Sequence, residues 1–155
     1  MTPFQKNDFY ISGGETFEAR GWFGGESWAL TANVEIYNVV SNTWTQGPEL
    51  MTPRKHHSSC SLILKLFVLG GIGEEDKLLS SVEMLDTSYQ TSQIVQLQGW
   101  QPLDLPLFTP RTDPAVCAIS DTEFVVLGGN DGEVDLNDAL VYDDAKRCFN
   151  QVCES

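Results

Sequence analysis

The chain has 155 residues, enough for one ordinary domain with a buried core. Its 22 acidic against 9 basic residues give a net charge of −13 with no local Lys/Arg cluster. Such a surface repels phosphate backbones and anionic membranes, so nucleic acid and membrane are set aside as partners, and no stretch approaches the roughly 20 apolar residues of a membrane span.

Taken in chain order, the start (Met1 to Asp8) has no apolar h-region of a secretory signal. Cys60, Cys117, Cys148 and Cys153 are accordingly expected as reduced thiols in a cytoplasmic protein. Next comes an apolar run closed by a glycine pair, Phe9-Tyr10-Ile11-Ser12-Gly13-Gly14. The same pattern returns at Leu66-Phe67-Val68-Leu69-Gly70-Gly71 and at Phe124-Val125-Val126-Leu127-Gly128-Gly129. Runs this short, rich in aromatic and β-branched residues, suit strands buried on both faces. The glycines stop each run and permit backbone angles that a Cβ would forbid.

A second element follows each pair: Val34-Glu35-Ile36-Tyr37-Asn38, Val82-Glu83-Met84-Leu85-Asp86 and Ala139-Leu140-Val141-Tyr142-Asp143. An aromatic residue comes after each of them, at Trp44, Trp100 and Phe149. Ser41-Asn42 and Asp143-Asp144 are turn-type residues between these last two strands. A third element, Met51-Thr52-Pro53-Arg54 and Phe108-Thr109-Pro110-Arg111, precedes two of the glycine pairs. Internal repetition in one register is the signature of a repeat architecture. Each unit reads as four short antiparallel strands. In the first unit a second pair, Gly24-Gly25, competes with Gly13-Gly14. The preceding apolar strand favours Gly13-Gly14, which leaves residues 15–33 as a long loop.

This arrangement resembles the kelch repeat: a Pro-Arg lead-in, a diglycine after an apolar strand, then a spaced Tyr and Trp. Gly13, Gly14, Tyr37, Trp44, Gly70, Gly71, Trp100, Gly128, Gly129 and Tyr142 carry the pattern, and Arg54-Lys55-His56-His57 matches its Arg-x-x-His. Leu85 stands where Tyr is expected, Pro114 where His would be and Phe149 where Trp would be. The resemblance implies an all-β fold of kelch-type β-propeller blades, each of four antiparallel strands. Residues 1–155 would form a single partial propeller of about three blades, 4–47, 48–103 and 104–155, the first lacking its first strand. Propellers hold about 4–8 blades, so three make an incomplete ring. Such an arc is expected to be a fragment of a larger kelch protein, to pair with itself, or to be complemented by other kelch blades.

Apparent chemistry mostly dissolves into this register. His56 and His57 are adjacent on a strand and point to opposite faces, so packing is preferred to a metal site. Cys60 and Cys117 occupy equivalent places in two first strands, where free Cys packs as a small apolar residue. Cys148 and Cys153 lack further ligands. Asp131, Glu133 and Asp135 fail EF-hand spacing around Gly132 and read as a solvated loop. No catalytic constellation, cofactor or metal site is expected. The expected function is a protein-interaction module that binds a protein or peptide through its loops. Arg54 and Arg111, set near the ligand mouth by the resemblance, could grip a carboxylate. Arg20, Trp22, Phe23 and Trp28 in the long loop offer the residue types that dominate binding energies. The alternatives are a fragment of a galactose-oxidase-like or sugar-related kelch enzyme, and a non-functional gene fragment.

Overall fold

The computed structural model describes residues 7–19, 26–88 and 99–153. The described elements are β-strands apart from one 3-10 turn, at Glu74–Asp76. The first sheet has three strands, β1 (Asp8–Ser12), β4 (Val34–Asn38) and β5 (Thr43–Gln46), in that spatial order. The second runs β6 (Ser58–Leu62), β7 (Lys65–Leu69), β8 (Val82–Asp86) and β9 (Gln101–Leu103). The third runs β10 (Ala115–Ala118), β11 (Glu123–Leu127), β12 (Ala139–Asp143) and β13 (Cys148–Cys153). All pairings are antiparallel, so each sheet is an up-and-down meander.

The long loop expected over 15–33 is instead largely a β-hairpin, β2 (Glu15–Ala19) paired with β3 (Glu26–Leu30) in a sheet of its own. Its alternation is weak, with single aromatics among small and charged residues, so periodicity gave little signal. Gly24-Gly25 lies outside the described residues. Gly13-Gly14 follows β1, and its φ angles of 63° and 97° match 63° and 94° at Gly70-Gly71 and 56° and 98° at Gly128-Gly129.

Strand alternation sends successive side chains of the second sheet to opposite neighbours. Leu66, Val68 and Leu85 pack with Val34, Leu50, Trp100, Tyr10 and Ala32 toward the first sheet. Phe67, Leu69 and Val82 pack with Phe124, Val126, Leu140 and Tyr142 toward the third. The second core is the more aromatic. Phe124 stacks on Tyr142 at 4.8 Å between ring centroids, and Phe67 and Phe149 close on that pair at 5.1 Å each. Full burial of one such side chain contributes about 1.5–3 kcal/mol, so the two inter-sheet cores, rather than the single sheets, hold the fold. Leu85, which stands in the Tyr position, is 2% exposed and fills the first core.

The outward faces of the end sheets are uncovered among the described residues. Phe9, Ile11 and Trp44 of the first sheet are 61%, 52% and 55% exposed. Leu127 and Val152 of the third are exposed as well.

Candidate functional site

The Pro-Arg segments lie at the junctions between sheets. Arg54 is completely buried. Its Nε donates to Thr52 O, its Nη1 to Gly70 O and Ser81 O, and its Nη2 to Ser81 Oγ and, at 2.6 Å, to Glu83 Oε1. All five guanidinium hydrogens are thereby used. Burial, the largest influence, pulls its pKa down, and Glu83 opposes that. Glu83 also accepts the backbone N–H groups of Met51 and Thr52. Arg111 repeats the device one sheet later, donating to Thr109 O, to Gly128 O and bidentately to Asp138 at 2.7 and 2.9 Å. That bond holds the Asp138 carboxyl below the usual carboxylate range.

This corrects the expectation that Arg54 and Arg111 present guanidinium groups to a partner. Both are 0% exposed and committed to internal acceptors. An exposed arginine would keep its fork free; these two tie each sheet's lead-in to the strand that follows its glycine pair. The carbonyl oxygens beside them serve the preceding sheet, since Gly14 N–H donates to Arg54 O and Gly71 N–H to Arg111 O. The glycines permit that approach. A Cβ on Gly70 would stand 2.5 Å from Arg111 O.

His56 and His57 diverge. His56 Nδ1 lies 3.1 Å from Asp113 Oδ1 at the surface. His57 Nε2 lies 3.1 Å from Ser12 Oγ, and its Nδ1 is buried without a partner. Burial, helped by Arg54, lowers the His57 pKa to about 4. Cys60 faces the third sheet, where burial pushes its thiol up to about 12, while Cys117 is exposed on the uncovered face of that sheet. In the acidic loop Asp131 Oδ1 accepts Glu133 and Val134 N–H, and Asp135 Oδ1 accepts Asn130 Nδ2. Those carboxylates shape the loop itself. Among the described residues no three His, Cys, Asp or Glu side chains gather as a metal would need, and no helix is long and apolar enough to cross a membrane.

Of the expected loop aromatics, Trp28 lies on β3. It is 66% exposed and meets Phe17 of β2 edge to face, with ring centroids 5.3 Å apart. The two are cross-strand neighbours in the hairpin register. Neither belongs to either core. Lys55 Nζ, 2.8 Å from Glu15, ties the hairpin base to the second sheet. Arg20, Trp22 and Phe23 lie outside the described residues. Phe17 was missed at the sequence level; its place opposite Trp28 becomes visible only once the hairpin is paired. An open cleft lined by Met51, Thr52, Pro53, Glu74, Lys77 and Leu79 brings together one acid and one lysine, without His or Cys.

The family model for the kelch motif matches residues 6–51, the span of the first sheet and its hairpin. The chain belongs to the kelch-repeat family. It is similar to beta-scruin of Limulus polyphemus, with 28% identity over 146 residues, 90% of this chain and 15% of that protein. Kelch-like protein 38 of Rattus norvegicus is 28% identical over 66% of this chain and 16% of its own length. The serine/threonine-protein phosphatase BSL2 of Arabidopsis thaliana is 30% identical over 77% of this chain and 12% of its own. The chain therefore spans under a fifth of each of these relatives. The three larger sheets are kelch blades; each buried arginine side chain clasps its own blade, and its backbone carbonyl accepts from the blade before.

Proposed function

We propose that this chain is a protein-interaction scaffold that binds a protein or peptide partner, with the β2–β3 hairpin as its main contact. The observation that carries this reading is the Phe17–Trp28 pair, two large aromatics exposed on a hairpin that contributes to neither core. Exposed aromatics on a short, doubly paired ribbon offer contact area at low entropic cost, and such residues dominate interface energies. Arg20, Trp22 and Phe23 fall between β2 and β3 in sequence and extend the same contact in this reading. The net charge of −13 favours a neutral or basic partner surface. Kelch relatives support the scaffold role. The free thiols of Cys60, Cys117 and Cys148 suit a reducing, cytoplasmic setting.

The test is affinity capture with the wild-type chain beside Phe17→Ala/Trp28→Ala. Partners should be lost with the double variant while its circular dichroism and melting temperature stay unchanged. Retention of the same partners by a folded double variant would remove the hairpin from the interface.

A further inference from the structure

The lead-ins to the two four-stranded blades share one pattern of burial. In Leu50-Met51-Thr52-Pro53-Arg54 the leucine is 4% exposed, Met51 57% and Arg54 0%. In Leu107-Phe108-Thr109-Pro110-Arg111 the corresponding values for Leu107, Phe108 and Arg111 are 2%, 60% and 0%. The buried leucine and the buried arginine pin each segment at both ends. The Met51 and Thr52 N–H groups are held by Glu83 as well, so Met51 is displayed on fixed backbone. Leu50 belongs to the core between the first and second blades, and Leu107 to the core between the second and third. Met51 and Phe108 thus stand at junctions that have a blade on either side, and their exposure belongs to the repeat itself.

Met51, Thr52 and Pro53 line an open cleft of about 350 Å³ together with Glu74, Lys77 and Leu79. That volume is at the small end of ligand sites and takes one large side chain. Met51, Pro53 and Leu79 make its apolar surface. The loop that supplies Glu74, Lys77 and Leu79 continues to the second lead-in, where Arg111 N–H donates to Leu79 O and Leu107 N–H to Ser80 O. One loop therefore joins the two displayed apolar residues. The charge around the cleft selects its occupant. Glu49, Glu74, Glu75 and Asp76 are exposed there beside Lys77, while Lys55 is taken by Glu15 at 2.8 Å. A second copy of a chain with net charge −13 is repelled from such a rim, and a cationic segment is drawn to it.

We propose that the Met51 cleft is a docking site for a polypeptide segment that carries a large apolar side chain next to a lysine or arginine. The apolar side chain lies on Met51, Pro53 and Leu79, and the neighbouring cation pairs with Glu74. Burial of the apolar side chain supplies most of the affinity, and the exposed ion pair supplies selectivity at small energetic weight. Phe108 repeats the apolar perch at the next junction. The site includes none of the hairpin and stands whether or not Phe17 and Trp28 bind a partner.

The probe is the peptide acetyl-Lys-Leu-Lys-amide, with acetyl-Glu-Leu-Glu-amide as its acidic counterpart. Each is titrated into the full chain while NMR follows the methionine methyl groups and the backbone amides. The lysine peptide should shift the Met51 methyl and the amides of residues 74–77 saturably, with half-saturation at roughly 1–5 mM. The acidic peptide should leave them in place. Met51→Ala should weaken the lysine peptide about fivefold, by removing apolar surface from the cleft, and Glu74→Gln about two- to threefold. Both side chains are exposed, so both variants keep the wild-type circular dichroism. The proposal is overturned if the cleft signals stay unmoved up to that concentration, if the two peptides bind alike, or if both variants bind as the wild type does. Shifts confined to Phe17 and Trp28 would overturn it while leaving the hairpin reading in place. A chain that sediments as a dimer with the cleft covered by its second copy would overturn it too.

Discussion

Arg54 Nη2 donates to Glu83 Oε1 at 2.6 Å, with the two side chains 0% and 3% exposed between the first and second blades. Two buried charges this close must be considered together, because each is tolerable only beside the other. Glu83→Ala leaves a buried guanidinium short of its anion and frees the Met51 and Thr52 N–H groups. The expected loss is about 3–5 kcal/mol. Asp138→Ala, at a carboxylate 16% exposed, lets water reach Arg111 and should cost about 1–3 kcal/mol. Urea unfolding of the two variants checks the order; equal losses would mean that burial does not set the difference.

That pair also marks what could be read from the residues alone. The glycine pairs, the Tyr and Trp positions and the strand runs were legible because their demands are local: a positive φ at Gly13 or Gly70, or an alternating buried face along Leu66–Leu69. The fate of Arg54 and Arg111 was not, since burial depends on the neighbouring blade, and an arginine beside proline reads equally as a surface fork. The hairpin escaped for a related reason. Phe17 and Trp28 meet only after β2 and β3 pair, and the one apolar run in either strand, Trp28-Ala29-Leu30, is too short to announce it. The exposure of Cys117 against the burial of its repeat-mate Cys60 likewise follows from which blade has a neighbour.

Gly14 and Gly71 hold the same place in successive blades with φ of 97° and 94°, yet their surroundings differ. A Cβ at Gly14 meets nothing within 4 Å, whereas one at Gly71 would stand 2.5 Å from Lys55 O and 2.9 Å from His57 Cβ. Gly14→Ala should therefore cost only the conformational penalty, about 1–2 kcal/mol. Gly71→Ala adds a backbone clash and should exceed about 3 kcal/mol. Melting temperatures of the two alanine variants separate the contributions; a Gly14→Ala loss as large as that at Gly71 would contradict the packing argument.

The cysteines give a chemical readout of the same junction. Cys60, raised to about 12 by burial, has almost no thiolate at pH 8, while Cys117 lies exposed. Ellman's reagent should modify Cys117 first and Cys60 roughly a hundredfold more slowly, at a rate set by opening of the second and third blades. Mild urea should accelerate Cys60 selectively. Modification of both at one rate would place Cys60 in solvent and undo the assignment of that core.

His57 adds a pH dependence whose sign is fixed by its burial. Its folded pKa is lowered from 6.5 to about 4 by desolvation and by the Arg54 charge, so the folded state binds its proton less readily than the unfolded chain does. Stability is then complete above pH 6.5 and falls as pH drops from 6.5 toward 4, by at most about 3 kcal/mol. The carboxyls with lowered values, Asp131, Asp138 and Asp143, start from 3.8 and act below this window. His57→Gln keeps a polar group facing Ser12 Oγ but cannot titrate. Urea midpoints measured from pH 7 to pH 4.5 should slope for the wild type and stay nearly level for His57→Gln. A wild-type midpoint that holds steady across that range would mean the imidazole is protonated in the folded state without penalty, which its unpartnered buried Nδ1 and the neighbouring guanidinium oppose.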